Sequence, residues 1–142
     1  MPAVERTIDI NARPSHVWKW FESGSSLSNW FKRELTIDLR VGGTYELAPD
    51  ESGITISGRV LEIVPEGRLV LSWFEEDQGW KHPARLVFEL TPIATGTRVT
   101  LIHDGFAGIG TDTWERTTTA YERGADRHNT LGNLAELIEA AD

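Results

Sequence analysis

An α+β fold, an antiparallel sheet with helices packed on one face, is what this sequence predicts, and three observations carry the prediction. Short runs of alternating apolar residues, separated by turn residues, recur through the middle of the chain. Residues 58–74, GRVLEIVPEGRLVLSWF, read as two of these strands joined by a tight turn at Pro65-Glu66-Gly67. Late in the chain Leu131, Leu134 and Ile138 form an apolar helical stripe that needs a sheet to cover it.

The elements follow in order. Residues 4–10 alternate, with Ile8 and Ile10 on one face, and give a first strand. Pro14 suits the first turn of a helix, where its missing N–H costs nothing, and PSHVWKWFES puts Val17, Trp18 and Phe21 on one side. Ser23-Gly24-Ser25-Ser26 interrupts that helix, and Ser25 or Ser26 is expected to cap a second short one, LSNWF. Six strands are then expected at 34–39, 44–48, 54–64, 68–74, 84–91 and 97–104. At the turn within 58–74, Gly67 is expected to take the positive φ that closes it. The polar stretch 75–83 reads as a mobile hairpin loop carrying Trp80, and PIATG joins the last two strands. After the glycine-rich loop 105–110, Asp112-x-x-Glu115 resembles a capping box. It opens a C-terminal helix of about 25 residues in which Gly124 and Gly132 cost roughly 1 kcal/mol each.

The chain has 142 residues, 25% charged and 39% hydrophobic, which suits one soluble domain spanning 1–142. Its net charge is −8 and its Lys and Arg are dispersed, so no run tracks a phosphate backbone and no nucleic-acid partner is expected. With no cysteine there is no disulfide, thiolate metal site or Cys nucleophile. MPAVERTIDI lacks the basic and apolar regions of a signal peptide, and no apolar stretch nears the ~20 residues of a membrane span. A cytoplasmic location without a membrane partner is the expectation. His16, His82, His103 and His128 show no HxxxH or HxH spacing, so no metal is expected. Gly105-x-x-Gly108-x-Gly110 lacks the Lys and the parallel crossover of a nucleotide loop, and no cofactor is expected.

Several motifs run in order across nearly the whole chain. They are Ile8-x-Ile10-x-Ala12-x-Pro14 with Val17-Trp18, Trp30-Phe31, Gly42-Gly43-Thr44-Tyr45, the run from Gly58-Arg59-Val60 to Pro65, Arg68-Leu69-Val70-Leu71-Ser72-Trp73, and Thr100-Leu101-x-His103-x-Gly105-Phe106. Together they make the chain resemble the START-like, helix-grip superfamily. Within it, the resemblance is to the family named after the C-terminal domain of the activator of the heat-shock-protein-90 ATPase. That resemblance implies a curved antiparallel sheet wrapped around a long C-terminal helix, two short helices after strand 1, and a cavity between sheet and helix. It also implies hydrophobic ligand binding or a chaperone-linked role in stress response, with a chaperone or a second copy as partner. No counterpart is expected of the extra N-terminal domain by which the eukaryotic activator engages its chaperone, which weakens the co-chaperone reading.

The candidate site grows from strand pairing. Pairing 84–91 with 97–104 sets His103 opposite Leu86, and pairing 68–74 with 84–91 brings Trp73 near Leu86 too. Trp73, Leu86 and His103 then form one inward row, neighbours about 5 Å apart, that walls a cavity or fills a core. His103 and Asp104 point to opposite faces and cannot form a dyad. Helical spacing puts Tyr121, Gly124, His128, Leu131 and Ala135 on one side, with His128 facing either cavity or solvent. Were both histidines in the cavity, they would titrate near neutral pH as acid or base. Trp30 and Phe31 end the second short helix, Phe106 flanks the glycine loop, and Trp80 reads as a lid or a partner contact. The expected function is binding of a small apolar or aromatic molecule by Trp30, Phe31, Trp73, Trp80, Leu86, His103, Phe106, Tyr121 and His128, with Trp30 and Trp80 at the mouth. The alternatives are a co-chaperone-type interaction module and an enzyme using a cavity histidine, with no catalytic residue assigned.

Overall fold

The computed structural model describes residues 3–140. Strand β1 (Val4–Ile10) leads into a short helix α1 (Pro14–Trp18), a 3-10 turn (Lys19–Phe21) and helix α2 (Gly24–Phe31). Six strands follow: β2 (Leu35–Ile37), β3 (Thr44–Leu47), β4 (Ile56–Val64), β5 (Arg68–Glu75), β6 (Ala84–Ile93) and β7 (Gly96–Asp104). A 3-10 turn at Phe106–Gly108 precedes the last two helices, α3 (Trp114–His128) and α4 (Thr130–Ala140). The strands form one antiparallel sheet in the order β1-β7-β6-β5-β4-β3-β2. This is the α+β helix-grip arrangement that the alternation and the resemblance point to, with the helices filling the concave side.

Four local details depart from expectation, each for a physical reason. Ser23, rather than Ser25 or Ser26, caps α2: its extended backbone lets Oγ accept from the Ser26 amide at 3.1 Å, three residues on. At the turn after β4 the positive φ falls on Glu66 (63°) and not on Gly67, whose N–H instead donates to the Val64 carbonyl at 2.8 Å. The expected capping box does not form, since Thr113 is the N-cap of α3 and no side chain caps it. The single long helix is broken at Asn129, which adopts the left-handed conformation (φ 48°) and returns its N–H to the Ala125 carbonyl. Gly132 makes that break possible, because a Cβ there would lie 2.2 Å from Asn129 Nδ2. The break leaves a bent pair of helices where a straight one was expected.

Two aromatic clusters make up much of the core. Under α1 and α2, Phe21, Trp30, Phe31 and Phe88 pack at 4.7–5.9 Å between ring centroids. Under α3, Trp73, His103, Phe106 and Tyr121 form a second cluster at 4.8–6.0 Å. Rings of this size dominate packing energy where they are buried.

Candidate functional site

Between the two clusters lies a cavity of about 250 Å³. Its floor is the concave face of the sheet: Ile56 from β4, Trp73 and Glu75 from β5, Leu86 and Phe88 from β6, Leu101 and His103 from β7. Its roof is one face of α3, where Ala120, Tyr121, Gly124 and His128 recur at helical spacing. Gly124 is the buried residue of that helix, and its missing side chain leaves the space beneath it open.

The row read from the sequence sits in the floor. His103 pairs with Leu86 across β6 and β7. Trp73 pairs with Ala84, and Leu71 is the residue opposite Leu86, so Trp73 reaches the row diagonally. Its ring nonetheless lies 4.9 Å from the His103 ring at 74°, edge to face. Asp104 turns to the other face and pairs there with Arg85 at 2.7 Å, so no His103–Asp104 dyad exists.

Burial dominates the chemistry of His103. The residue is 6% exposed, its Nε2 has no hydrogen-bond partner among the described residues, and burial pulls its pKa down to about 3 against a lesser upward pull from Asp104. The imidazole is therefore neutral at physiological pH, and the acid/base role near neutrality expected of it has no support.

A hydrogen-bonded chain crosses from sheet to roof. Trp73 Nε1 donates to the Tyr121 hydroxyl at 2.8 Å, and that hydroxyl donates to Glu75 Oε2. Burial raises the Glu75 carboxyl above its ordinary value, with the Tyr121 hydrogen bond pulling the other way. Burial, reinforced by the Glu75 charge, lifts the Tyr121 hydroxyl far above its ordinary range, so it remains a donor. At the outer end Arg33 is fixed by donating to the carbonyls of Ala48 (2.8 Å) and Ile54 (2.9 Å), and its Nη1 lies 3.6 Å from Asp50. Asp50 also faces His128 Nε2 at 3.8 Å. Burial would raise the Asp50 carboxyl, but hydrogen bonds from Ser52 and the charges of Arg33 and His128 carry it below its ordinary value. Asp50, Glu51 and His128 bring ligand atoms within 4.8 Å of one another. Arg33 already compensates Asp50 there, and Glu51 and His128 are exposed, so the cluster reads as an ion-pair network at the outer end of the cavity.

The nine residues named from the sequence separate into two groups. Phe31, Trp73, Leu86, His103, Tyr121 and His128 line the cavity. Trp30 is wholly buried between Phe21 and Phe88, donating its indole N–H to the Trp20 carbonyl, and is not at the mouth. Phe106 is equally buried and stacks behind Tyr121 at 5.1 Å. Trp80, expected as a lid or a partner contact, is 7% exposed and packs edge-on against Phe74 and Phe106. It is held there because the amides of Lys81 and His82 both donate to the Ile109 carbonyl, folding the loop inward.

The lining residues that escaped the sequence reading include Glu75, Arg33 and Asp50. Glu75 falls where the sequence predicts the start of a loop, yet it continues the inward alternation Leu69, Leu71, Trp73 by one more step. That period of two was a usable signal. Arg33 and Asp50 sit in connections with no periodicity, and nothing local distinguishes them from surface charge.

The chain matches the family model described as Activator of Hsp90 ATPase homolog 1-like protein over residues 11–135. A search of curated proteins finds no match. Among solved structures, protein MLL2253 from Mesorhizobium loti is similar at TM-score 0.80 and 20% identity, over 99% of this chain and 98% of that one. CV1439 from Chromobacterium violaceum is similar at TM-score 0.71 and 24% identity, over 97% of each chain. The Aha1 dimer from Colwellia psychrerythraea is similar at TM-score 0.72 and 17% identity, over 98% of this chain and 97% of that one. At these identities the likeness concerns the fold. No helix among the described residues is long and apolar enough to cross a membrane.

Proposed function

Since the chain belongs to the Activator of Hsp90 ATPase homolog 1-like protein family, we propose that it binds a small, mostly apolar or aromatic molecule between its sheet and α3. The observation that carries this reading is the cavity of about 250 Å³ walled by Trp73, Leu86 and His103 and roofed by the Gly124 face of α3. That volume falls just below the usual range for small-molecule sites, about 300–1,000 Å³, and suits a molecule of one or two rings. Largely apolar walls with a few convergent polar groups are what such sites share.

Gly124→Leu tests the reading. A Cβ at Gly124 meets only ordinary contacts, the nearest being His128 Cδ2 at 3.7 Å, so the longer side chain enters the cavity. Replacing a helical glycine also favours the helix by up to about 1 kcal/mol, so folding is preserved. Titration calorimetry with 2-naphthol should give saturable binding to the wild type and at least tenfold weaker binding to the variant. Equal binding by both, or none by either, would refute a ligand site here.

A second reading, an interaction module working through a chaperone or a second copy, draws on the exposed apolar side chains Val41, Leu61 and Val64. Light scattering across a concentration series separates the two, since self-association through that surface should be lost in Leu61→Ser and Val64→Ser.

A further inference from the structure

The polar groups of the inner cavity are unevenly spent. Trp73 gives its one N–H to Tyr121, and Tyr121 gives its one O–H to Glu75. The Glu75 carboxylate receives that single hydrogen bond at Oε2 and has no other hydrogen bond or ion pair among the described residues. A carboxylate offers about four acceptor positions, so most of its capacity is open to whatever enters the cavity, water or ligand. Half-buried in an apolar setting, it is worth most to a ligand that brings a hydrogen. The neighbouring His103 is neutral and also under-satisfied, with Nε2 unpartnered, and as an imidazole it holds one N–H and one acceptor nitrogen.

Resting on the ligand-binding reading above, we propose that the ligand is an aromatic molecule carrying a hydroxyl group, whose O–H is taken by Glu75 while Trp73 and Tyr121 hold that carboxylate in place. The inventory excludes acidic ligands and ligands that only accept hydrogen bonds. A ligand carboxylate would bring a second negative charge to Glu75 and no hydrogen. An ether or a ketone has no hydrogen to give, and it would leave the Glu75 acceptor desolvated and unpaired. A hydroxyl serves as donor and acceptor at once, so it meets Glu75 without conflicting with a nearby imidazole N–H.

Trp73, Tyr121 and Glu75 come from β5 and α3, and the hydrogen-bonded chain spans the cavity between them. This gives the selectivity a geometric origin: the acceptor is fixed from the roof, and the rings of Trp73 and Tyr121 confine an aromatic ligand beside it. A hydrogen bond to a charged, partly buried acceptor is strong enough to select by an order of magnitude.

Calorimetry on the intact wild-type chain with 2-naphthol, 2-methoxynaphthalene and 2-naphthoate tests the proposal without any substitution. The expected result is binding of 2-naphthol at least tenfold tighter than either of the others. Glu75→Gln, which keeps the size of the side chain and adds an amide donor, should bring 2-naphthol and 2-methoxynaphthalene within about threefold of each other. Gly124→Leu should weaken both. If the wild type binds all three ring compounds equally well and Gly124→Leu still blocks them, the hydroxyl preference is wrong while the cavity reading stands. If 2-naphthoate binds best, the acceptor logic at Glu75 is overturned. If none of the three binds, both the preference and the cavity reading fail.

Discussion

The last two helices arise from one expected segment, yet they are held to the sheet in opposite ways. Along α4, Leu131, Leu134, Ala135 and Ile138 are all buried, and the helix lies against α2 and β1. Along α3 the fully buried residue is Gly124, and beside the ring packing of Tyr121 the helix is tied down by polar contacts. Arg6 reaches up to Asp126 at 2.9 Å and to the Glu122 carbonyl, while Tyr121 bridges to Trp73 and Glu75. Apolar burial stabilises α4 in proportion to area and cannot be exchanged for anything a ligand offers. Polar contacts beneath α3 can be traded with water or a ligand at little net cost. The same stretch of chain thus supplies a permanent anchor and a roof over the cavity, divided at Asn129.

The largest expected effect strikes the anchor. Leu134 is completely buried, and Leu134→Ala should cost about 2–5 kcal/mol in chemical denaturation through lost burial and a residual cavity. A loss below about 1 kcal/mol would break the contrast between the helices.

The next effect probes how well α3 seals the floor. Unfolded His103 takes up a proton near its ordinary pKa of 6.5, whereas the folded group refuses one until about 3. Its contribution is therefore fully present above pH 6.5 and is lost on acidification toward pH 3, at up to roughly 1.4 kcal/mol per pH unit. Glu75 acts in the reverse sense: its raised carboxyl holds a proton longer in the folded state, so it favours folding at low pH and offsets part of the fall just above its ordinary value. His103→Phe should flatten the pH profile of thermal melting between pH 6 and 4. A flat wild-type profile would mean that water reaches His103 and that α3 does not close the site.

The smallest effect lies at the outer attachment of the roof. Arg6 and Asp126 meet on the surface, where side-chain exposures of 32% and 72% leave the pair well screened. Asp126→Ala should cost at most about 1 kcal/mol. Hydrogen exchange should nevertheless quicken in α3 and stay unchanged in α4, which makes this the sharpest comparison of the two helices.

Much of this was legible in the sequence because the sheet is built largely on alternation, interrupted by a register shift at Val60–Glu62. Leu86 facing His103, and the inward Leu69, Leu71 and Trp73, follow from a period of two and short turns. The bend between α3 and α4 was hidden, since Gly132 looks like a weak helical residue until Asn129 is seen lying over it. Trp80 misled for a similar reason. Its neighbours are polar, and only the remote Ile109 carbonyl folds the loop inward. Arg33 and Asp50 depend on long-range carbonyl and ion-pair contacts that no local pattern encodes.

The strand order carries a consequence for assembly. Its two outermost strands are β2 and β1. The first is three residues long, and its leading amide, that of Leu35, is already taken by Ser28 Oγ at 3.0 Å. The second carries Glu5, Arg6 and Asp9, with Arg6 paired to α3, Asp9 paired to Arg98, and both closing helices lying against the strand. Brevity at one border and charge at the other are the means by which sheets avoid templating their neighbours. Strand-by-strand growth into fibrils or open filaments is thereby disfavoured at both borders.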